Sequence, residues 1–314
     1  MKAYEFILKG ASLSLVGLIL TKLLAYFSII IIARVGSKEL GLLSLAFSII
    51  SFIAMMSLLG LNNGIIRYVS YYSRKKDKKK IKGVMLSAIK ISSVVSIIMS
   101  IFVFIFAKNI SIDIFNKPEL TLLLRIFSFM IPLLTITEIF ASIFLSFKKI
   151  QYNVFVRDFL GKLLKLIFIM GVVFFGLGLN WVAWSYLIAA LITVILMFNL
   201  VKKKEFQLFN KIKVKYNSKE ILFYSFPLII ASLLTLLQKW TDTFILGVYK
   251  TANEVGIYNI AFSTASLLAI IPAALMSLFI PVISDLYAQN KFKYLKEVNH
   301  TIMKLILIIN LPLS

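Results

Sequence analysis

Eight apolar stretches, each long enough to cross a bilayer as a helix, recur along this chain of 314 residues. A transmembrane helix needs about 20 apolar residues, and hydrophobic residues make up 60% of the sequence. Lipid offers no partner to unpaired backbone groups, so a chain inside it must be helical or form a closed barrel. We therefore predict an all-α, polytopic helical membrane protein. The predicted spans are Leu8–Ala33, Gly41–Gly60, Gly83–Ala107, Leu120–Phe147, Val154–Leu177, Trp181–Leu200, Ile221–Val248 and Val255–Ile283, with a ninth beginning near Thr301.

Basic residues are crowded into alternate connections between these spans. The formal net charge of +22 would by itself suit a nucleic-acid partner, but its placement indicates a membrane topology signal instead. Arg67–Lys82 holds eight basic residues and Lys202–Lys219 seven, whereas the intervening connections hold few. This is the positive-inside pattern, so we expect the N-terminus in the cytoplasm and the chain in the cytoplasmic membrane. The run Arg74–Lys80 is also a candidate contact for anionic membrane lipids, and we expect no nucleic-acid partner.

Cysteine is absent from the sequence and His300 is its one histidine. A chain without cysteine has neither disulfides nor thiolate ligands for a metal. His300 stands at the mouth of a predicted span, where an interfacial position is more usual than metal ligation. We therefore expect no metal site and no cofactor.

One ten-residue segment is echoed later in the chain. Glu39–Ser48, ELGLLSLAFS, aligns without a gap with Glu254–Ser263, EVGIYNIAFS, after a shift of 215 positions. Chance similarity is the alternative in a chain so rich in Leu, Ile, Ala and Ser. The coincidence of acidic, glycine and aromatic positions favours a true repeat, which is how duplicated transporters are often recognised.

The repeat predicts an architecture. Six spans separate the two copies, an even number, so both would insert in the same orientation about a pseudo-two-fold axis along the membrane normal. We expect two six-helix lobes, with the first in residues 1–215 and the second beginning in residues 216–314. Position 314 corresponds to position 99 of the first copy, inside its third span, so the second lobe is expected to be incomplete.

Polar residues recur at helical spacing within three of the spans. Small residues of this kind often allow close helix packing, but that role does not require charges, which are costly inside a membrane. The charged members therefore favour an aqueous cavity. The stripes are Gly10, Ser14, Gly17, Thr21, Ala25 and Ser28 beside Lys22; Ser128, Thr135, Glu138, Ser142 and Ser146; and Ser225, Ser232, Thr235, Lys239 and Asp242.

Two of the charges are predicted to lie at the same depth. Glu138 and Lys162 stand nine and eight residues from the cytoplasmic ends of consecutive predicted spans, which puts each about 12–14 Å deep. They could form a static ion pair, Glu138 could be a protonatable carboxylate coupled to transport, or the two could be apart. Asp158, Lys162 and Lys165 share one helical face.

Short motifs in both halves resemble those of a known family. Those of the second half are Ser225–Leu228 (SFPL), Thr241–Asp242, Leu246–Gly247, Glu254–Tyr258 (EVGIY) and Pro281, and those of the first are Glu39–Gly41, Gly60–Leu61 and Arg67–Val69. They resemble oligosaccharide flippases of the Wzx type, which belong to the multidrug/oligosaccharidyl-lipid/polysaccharide flippase superfamily. The resemblance runs from about Ala11 to Leu313, and its motifs are moderately specific.

The resemblance implies a V-shaped, two-lobed transporter that turns a polyprenyl-pyrophosphate-linked oligosaccharide across the membrane by alternating access. The resemblance also implies a chain of twelve or fourteen helices, whereas this sequence stops in its ninth predicted span. We therefore expect the 314-residue chain to be a partial reading frame, inactive when expressed alone.

Lysines inside the predicted cavity suit an anionic pyrophosphate, because charge-assisted hydrogen bonds to phosphate are strong. Lys22 and Lys239, from the leading helix of each predicted lobe, are the first candidates for substrate binding. Lys162, Lys165 and Arg67 are candidates nearer the cytoplasmic mouth, where contact with lipid headgroups is the alternative. Candidates for coupling to a proton or Na⁺ are Glu138 and Asp242.

Two other functions remain open. A multidrug or cation antiporter of the same superfamily would share the fold, but it should present more cavity carboxylates than lysines to its cationic substrates. A membrane enzyme of polysaccharide assembly would normally need larger external loops with paired acids or histidine. The predicted external loops are short and hold no such pair, so we do not expect an enzyme.

Overall fold

The computed structural model describes residues 2–203, 206, 214, 218–270, 272, 279, 283, 286–287, 289 and 291–310. Regular secondary structure within these ranges is helical, as the sequence predicts. The helices are α1 Lys2–Ala33, α2 Ser37–Ser57, α3 Leu61–Arg74, α4 Lys78–Asn109, α5 Leu120–Ser128, α6 Met130–Ser146, α7 Ile150–Tyr152, α8 Gly161–Phe174, α9 Leu179–Val201, α10 Ser218–Tyr249, α11 Ala252–Leu268 and α12 Phe292–Asn310, with π-helical segments at Ile110–Ile114 and Asn153–Leu160.

Within the described residues, four helices are long and apolar enough to cross a membrane. They are Ser37–Ser57, Lys78–Ile114, Leu179–Val201 and Glu220–Tyr249, and the bent pair α5 and α6 makes a fifth when counted as one span. Along α4, large apolar side chains such as Ile98, Ile105 and Phe102 are exposed, whereas Ser92, Ser96 and Ser100 are buried. In water-soluble proteins apolar side chains are buried and polar ones exposed. The opposite distribution is expected where lipid surrounds the helices, and it confirms the polytopic membrane fold.

The second predicted span is continued by a helix where the sequence analysis placed a loop. Gly60 adopts a left-handed conformation with φ of 69°, which glycine tolerates without strain, and the chain then enters α3. Its buried positions follow a helical period, with Leu61, Ile65 and Val69 on the inner face. Arg67 is therefore a helical residue, and the lysine-rich connection shrinks to the turn after Arg74.

The fourth predicted span, Leu120–Phe147, is bent by 44° between α5 and α6. Pro132 lies just after the bend, and proline has no N–H to bond the carbonyl four residues earlier. That carbonyl belongs to Ser128, and it accepts a hydrogen bond of 2.8 Å from the Ser100 hydroxyl of α4. The bend is thus stabilised by a neighbouring helix, as is usual for broken spans in membranes.

The last two predicted spans differ most from the structure. The eighth, Val255–Ile283, corresponds to α11, which is described to Leu268, and much of the remainder lies outside the described residues. The ninth was expected near Thr301, but α12 begins at Phe292. Polar residues in its first two turns, including Lys293 and Lys296, hide this start from a search for apolar runs.

Helices α10 and α11 pack against the first part of the chain. Ring contacts join α10 to α2: Trp240 lies 6.1 Å from Phe47, and Phe244 lies 6.1 Å from Phe52. Helix α11 lies along α2, and the two meet at the end of the molecule where both begin. We call this end, which contains Gly41, the Gly41 end.

Candidate functional site

A group of lysines lies inside the helical bundle, where α1, α8 and α10 approach each other. Lys22, Lys162 and Lys239 are near enough for electrostatic repulsion, since Lys22 acts on both of the others. Lys162 acts in turn on Lys165. Lys22, Lys162 and Lys165 are half-buried, whereas Lys239 is exposed. We call Lys22, Lys162, Lys165 and Lys239 the lysine cluster; the structure brings together four of the five predicted substrate-binding residues.

Glu138 forms an ion pair with Arg157, whereas a pair with Lys162 was one of the three alternatives that the depth argument left open. The two Arg157 nitrogens bind the two carboxylate oxygens, one at 3.1 Å and the other closer still. Both side chains are about one third exposed, at 34% and 35%. A bidentate arginine is a strong partner for a carboxylate, so Arg157 compensates the charge of Glu138, which also acts on Lys239.

The π-helical segment Asn153–Leu160 explains why Arg157 reaches Glu138. Such wide turns are rare and often mark functional sites, and this one changes the faces on which Arg157 and Asp158 would lie in a regular α-helix. Asp158 remains close enough to Lys162 to offset part of its charge, and its backbone carbonyl accepts a hydrogen bond of 3.2 Å from Thr21 of α1. Asp158 is thus a carboxylate beside the cluster, and Lys162 is the cluster lysine that it acts on.

Aromatic rings hold two members of the cluster. The Lys165 ammonium lies 4.4 Å from the centroid of the Tyr186 ring, and that of Lys239 lies 4.9 Å from the Trp240 ring. Phe47 contacts both rings edge to face, at 5.9 Å and 6.1 Å. A cation over an aromatic face gains about 0.5–2 kcal/mol, so Tyr186 and Trp240 orient the two lysines.

Arg67 belongs to a different part of the molecule. Its guanidinium lies 4.1 Å from the ring centroid of Tyr224 on α10, and Tyr68 contacts the same ring edge to face at 5.7 Å. A cavity of about 390 Å³ opens beside this contact, between α3 and α10. The contacts of Arg67 therefore join α3 to α10 and do not extend the lysine cluster.

The second predicted coupling residue, Asp242, is also placed apart from Glu138. Asp242 is exposed on α10 and accepts a hydrogen bond of 2.7 Å from the Tyr258 hydroxyl of α11. The predicted pair of coupling candidates thus has two distinct environments, one bound to arginine and one bound to tyrosine.

Most hydroxyls of the predicted polar stripes bond to their own helices. Thr135 and Ser142 donate to carbonyls four residues earlier, each at 2.8 Å, and Ser28 does the same in α1. Such hydroxyls satisfy themselves within the helix, so the small polar residues serve packing. Within these stripes it is Lys22, Glu138 and Lys239 that meet at the cluster, as their interactions with one another show.

Sequence analysis missed Arg157, Tyr186 and Trp240. Arg157 was counted among the basic residues of a connection, because the predicted span around it begins only three residues earlier. The sequence signal that could have identified Arg157 as a site residue was its spacing from Asp158 and Lys162. Nothing in the sequence distinguished Tyr186 and Trp240 from the other aromatic residues.

Comparison with known proteins places the chain in a family. The family model described as "Polysaccharide biosynthesis protein" matches residues 7–287. An uncharacterised membrane protein of Methanocaldococcus jannaschii is 25% identical over 332 aligned residues, which cover 100% of this chain and 65% of that protein. The chain thus spans about two thirds of the length of this curated relative.

Solved structures share the fold. The inward-facing conformation of a multidrug resistance MATE family transporter of the MOP superfamily superimposes with a TM-score of 0.77 at 17% identity, over 93% of this chain and 68% of that one. The outward-facing conformation of such a transporter gives 0.68 at 16% identity, over 98% and 70%. A MOP superfamily transporter from Pyrococcus furiosus, described as having a binding pocket of reversed polarity, gives 0.62 at 16% identity, over 98% and 70%.

These likenesses, at 16–17% identity, establish the fold alone, whereas the family match covers most of the sequence. The chain is a multi-pass membrane protein with the fold of a MOP superfamily transporter, and it belongs to the polysaccharide biosynthesis protein family.

Proposed function

We propose that this protein is part of a transporter that flips a polyprenyl-pyrophosphate-linked oligosaccharide across the cytoplasmic membrane. The lysine cluster is the observation that supports this most directly. Four lysines converge inside a membrane bundle, while Glu138 is occupied by Arg157. A charge at the centre of a membrane helix costs about 2.5–3.5 kcal/mol on insertion scales, and an anionic ligand would offset that cost.

A pyrophosphate fits the arrangement better than a single carboxylate would. It carries several acceptor oxygens and more than one negative charge, so several ammonium groups can bind it at once. Lys165 and Lys239 are already oriented by aromatic rings, which reduces the entropy lost on binding. Lys22 and Lys162 add ammonium donors from α1 and α8.

The proposal includes an orientation and a coupling step. The basic turn Arg74–Lys80 would lie in the cytoplasm with the N-terminus, so the Gly41 end would face outward and the lysine cluster would be reached from inside. Glu138 and Asp242 are the candidates for coupling to a proton or Na⁺. Their bonds to Arg157 and Tyr258 are the contacts that a protonation or an ion would weaken.

A multidrug or cation antiporter is the second candidate. It is favoured by the likeness to multidrug resistance transporters and by a carboxylate, Glu138, beside the lysine cluster. A cationic substrate would have to displace Arg157 from Glu138 and tolerate the lysines nearby. The Pyrococcus furiosus relative, described by the reversed polarity of its pocket, suggests that pocket charge distinguishes functions within this fold.

Binding to the purified protein separates the two candidates. Farnesyl pyrophosphate is the probe for the flippase, farnesol its uncharged control, and tetraphenylphosphonium the probe for the antiporter. We expect farnesyl pyrophosphate to bind and farnesol not to bind. Lys22→Gln and Lys239→Gln should each weaken binding about 10-fold or more, since a hydrogen bond to a charged group contributes about 1.5–3 kcal/mol.

Lys79→Gln is the matched control, because Lys79 is an exposed lysine in the first turn of α4. It should leave farnesyl pyrophosphate binding unchanged. Binding of tetraphenylphosphonium that is lost in Glu138→Gln, with no binding of farnesyl pyrophosphate, would refute the flippase and support the antiporter.

A further inference from the structure

Lys117 is a buried lysine that binds the end of α10, a helix distant from it in the sequence. It lies in the connection between the π-helical turn Ile110–Ile114 and α5, and only 7% of it is exposed. Its ammonium donates three hydrogen bonds to backbone carbonyls, at 3.0 Å to Phe115, 2.5 Å to Gly247 and 2.8 Å to Lys250. An ammonium group has three N–H donors, so Lys117 is fully satisfied by backbone alone.

The Gly247 carbonyl lies in the last turn of α10, which stops at Tyr249, and the Lys250 carbonyl follows directly after it. The last carbonyls of a helix have no partner within it, and the helix dipole makes this end attractive to a cation. The Leu246 carbonyl is satisfied by the Lys250 N–H at 2.8 Å, which leaves the Gly247 carbonyl to Lys117. The three carbonyls thus form a small site for a positively charged hydrogen-bond donor.

Gly247 lets the first part of the chain approach this helix end. A methyl group at position 247 would lie 3.3 Å from the Phe115 ring and closer still to Leu45 of α2. Glu119 and Glu254 are the acidic groups that act on Lys117 electrostatically, and both favour its charge. Burial lowers the pKa of Lys117; with only 7% of the residue exposed, the carbonyls rather than water stabilise its ammonium.

The site joins two parts of the chain at the Gly41 end. Phe115 and Lys117 precede α5, whereas Gly247 and Lys250 lie at the end of α10. Beside it, the Ser37 hydroxyl donates to the Asn253 side chain across α2 and α11. Any motion that opens the Gly41 end by drawing α10 away from the 115–119 connection must withdraw the ammonium from two of its three carbonyls.

We propose that the Phe115, Gly247 and Lys250 carbonyls form a cation site, filled by Lys117 as a tethered ammonium ion, whose occupancy keeps the Gly41 end closed. The ligand class of the site is a primary ammonium, which matches the three acceptors with three N–H groups. This role is independent of what the lysine cluster binds, so it holds for a flippase and for an antiporter.

Thiol labelling of the purified protein tests the proposal, since the natural chain has no cysteine. Val255 of α11 is 0% exposed, and Val255→Cys is the reporter of opening at the Gly41 end. In Lys117→Ala we expect this cysteine to react about 10-fold faster or more than in the parent, because the variant loses the hydrogen bonds that a charged group makes across the Gly41 end. Methylammonium should restore slow labelling, whereas tetramethylammonium, which has no N–H, should not.

A second reporter, Ala88→Cys, distinguishes opening from unfolding, because Ala88 is 0% exposed in a separate part of the core. If its reactivity also rises in Lys117→Ala, the comparison is made in Lys117→Met, which retains the apolar stem. Lys117→Arg, which keeps charge and donors, should label like the parent. Equal labelling of Val255→Cys with and without the ammonium, or faster labelling that methylammonium does not reverse, would overturn the proposal.

Discussion

Gly41 and Gly256, which align in the predicted sequence repeat, pack backbone against backbone where α2 meets α11. A methyl group on Gly41 would lie 2.8 Å from the Gly256 nitrogen, and one on Gly256 would lie 3.1 Å from the Gly41 nitrogen. Each would also lie closer still to a backbone carbonyl, that of Ala252 or of Ser37. Glycine is therefore required at both positions for the helices to approach so closely.

Gly256→Ala should separate α2 from α11 and destabilise the closed Gly41 end. Insertion of a methyl group into a packed contact costs about 1–3 kcal/mol, and backbone atoms cannot move aside as a flexible side chain would. We expect a lower thermal midpoint in detergent together with faster labelling of the Val255→Cys reporter. Gly171→Ala is the matched control, because nothing lies within 4 Å of a methyl group there; a similar loss in both variants would contradict the interpretation.

Arg157→Gln should destabilise the protein by leaving Glu138 without its partner. Removal of one member costs about 3–5 kcal/mol for a buried ion pair and about 0–1 kcal/mol for a surface pair. At 34% and 35% exposure we expect about 2 kcal/mol, measured by chemical unfolding. The double variant Glu138→Gln with Arg157→Gln should recover most of this loss, and a double variant less stable than Arg157→Gln would show that the two side chains do not form a pair.

Tyr186→Leu should weaken the binding of farnesyl pyrophosphate, because it removes the ring on which the Lys165 ammonium lies. A cation–π contact contributes about 0.5–2 kcal/mol, so the expected loss of affinity is about 2- to 30-fold. Tyr186→Phe keeps the ring and should bind as the parent does. If the phenylalanine and leucine variants lose affinity equally, the hydroxyl rather than the ring face is the important group.

Stability should decrease on acidification through Glu119. A hydrogen bond of 2.8 Å from Lys38 holds the pKa of Glu119 below its ordinary value of 4.5. A depressed folded pKa adds stability above the unfolded value, and this is lost as the pH falls through the folded value. The parent should therefore exceed Glu119→Gln in thermal midpoint at pH 7, and the difference should vanish below the lowered pKa. A difference that persisted unchanged at low pH would exclude this ion pair as its cause.

The orientation proposed here can be tested with single cysteines at two exposed positions. Ser73 lies beside the basic turn, and Asn116 lies at the Gly41 end. Ser37 is less suitable because its hydroxyl is bonded to Asn253. In intact cells, an impermeant thiol reagent should label Asn116→Cys but not Ser73→Cys, and the reverse result would invert the topology.

The sequence by itself determined that the protein lies in a bilayer, that it is helical and where most of its spans lie, because lipid leaves backbone hydrogen-bonding groups few structures that satisfy them. Apolar length fixed five of the predicted spans closely, and the charges Lys22, Lys162 and Lys239 were identified as candidates because charge is costly within apolar runs. The sequence also placed Gly41 and Gly256 at equivalent positions. These properties depend on local composition and spacing.

Only the tertiary structure decided which of these charges meet. Glu138 and Lys162 are predicted to lie at similar depths in the membrane. The π-helical segment, however, changes the direction in which side chains leave the helix axis, and Arg157 rather than Lys162 is the ion-pair partner of Glu138. In the same way, packing brings Arg67 into contact with Tyr224. It also brings Lys117 to the end of α10, where its hydrogen-bond partner Gly247 is 130 residues away in the sequence. Contacts between helices depend on azimuth and on the fit of side chains from distant parts of the chain, and no periodicity within one span contains that information.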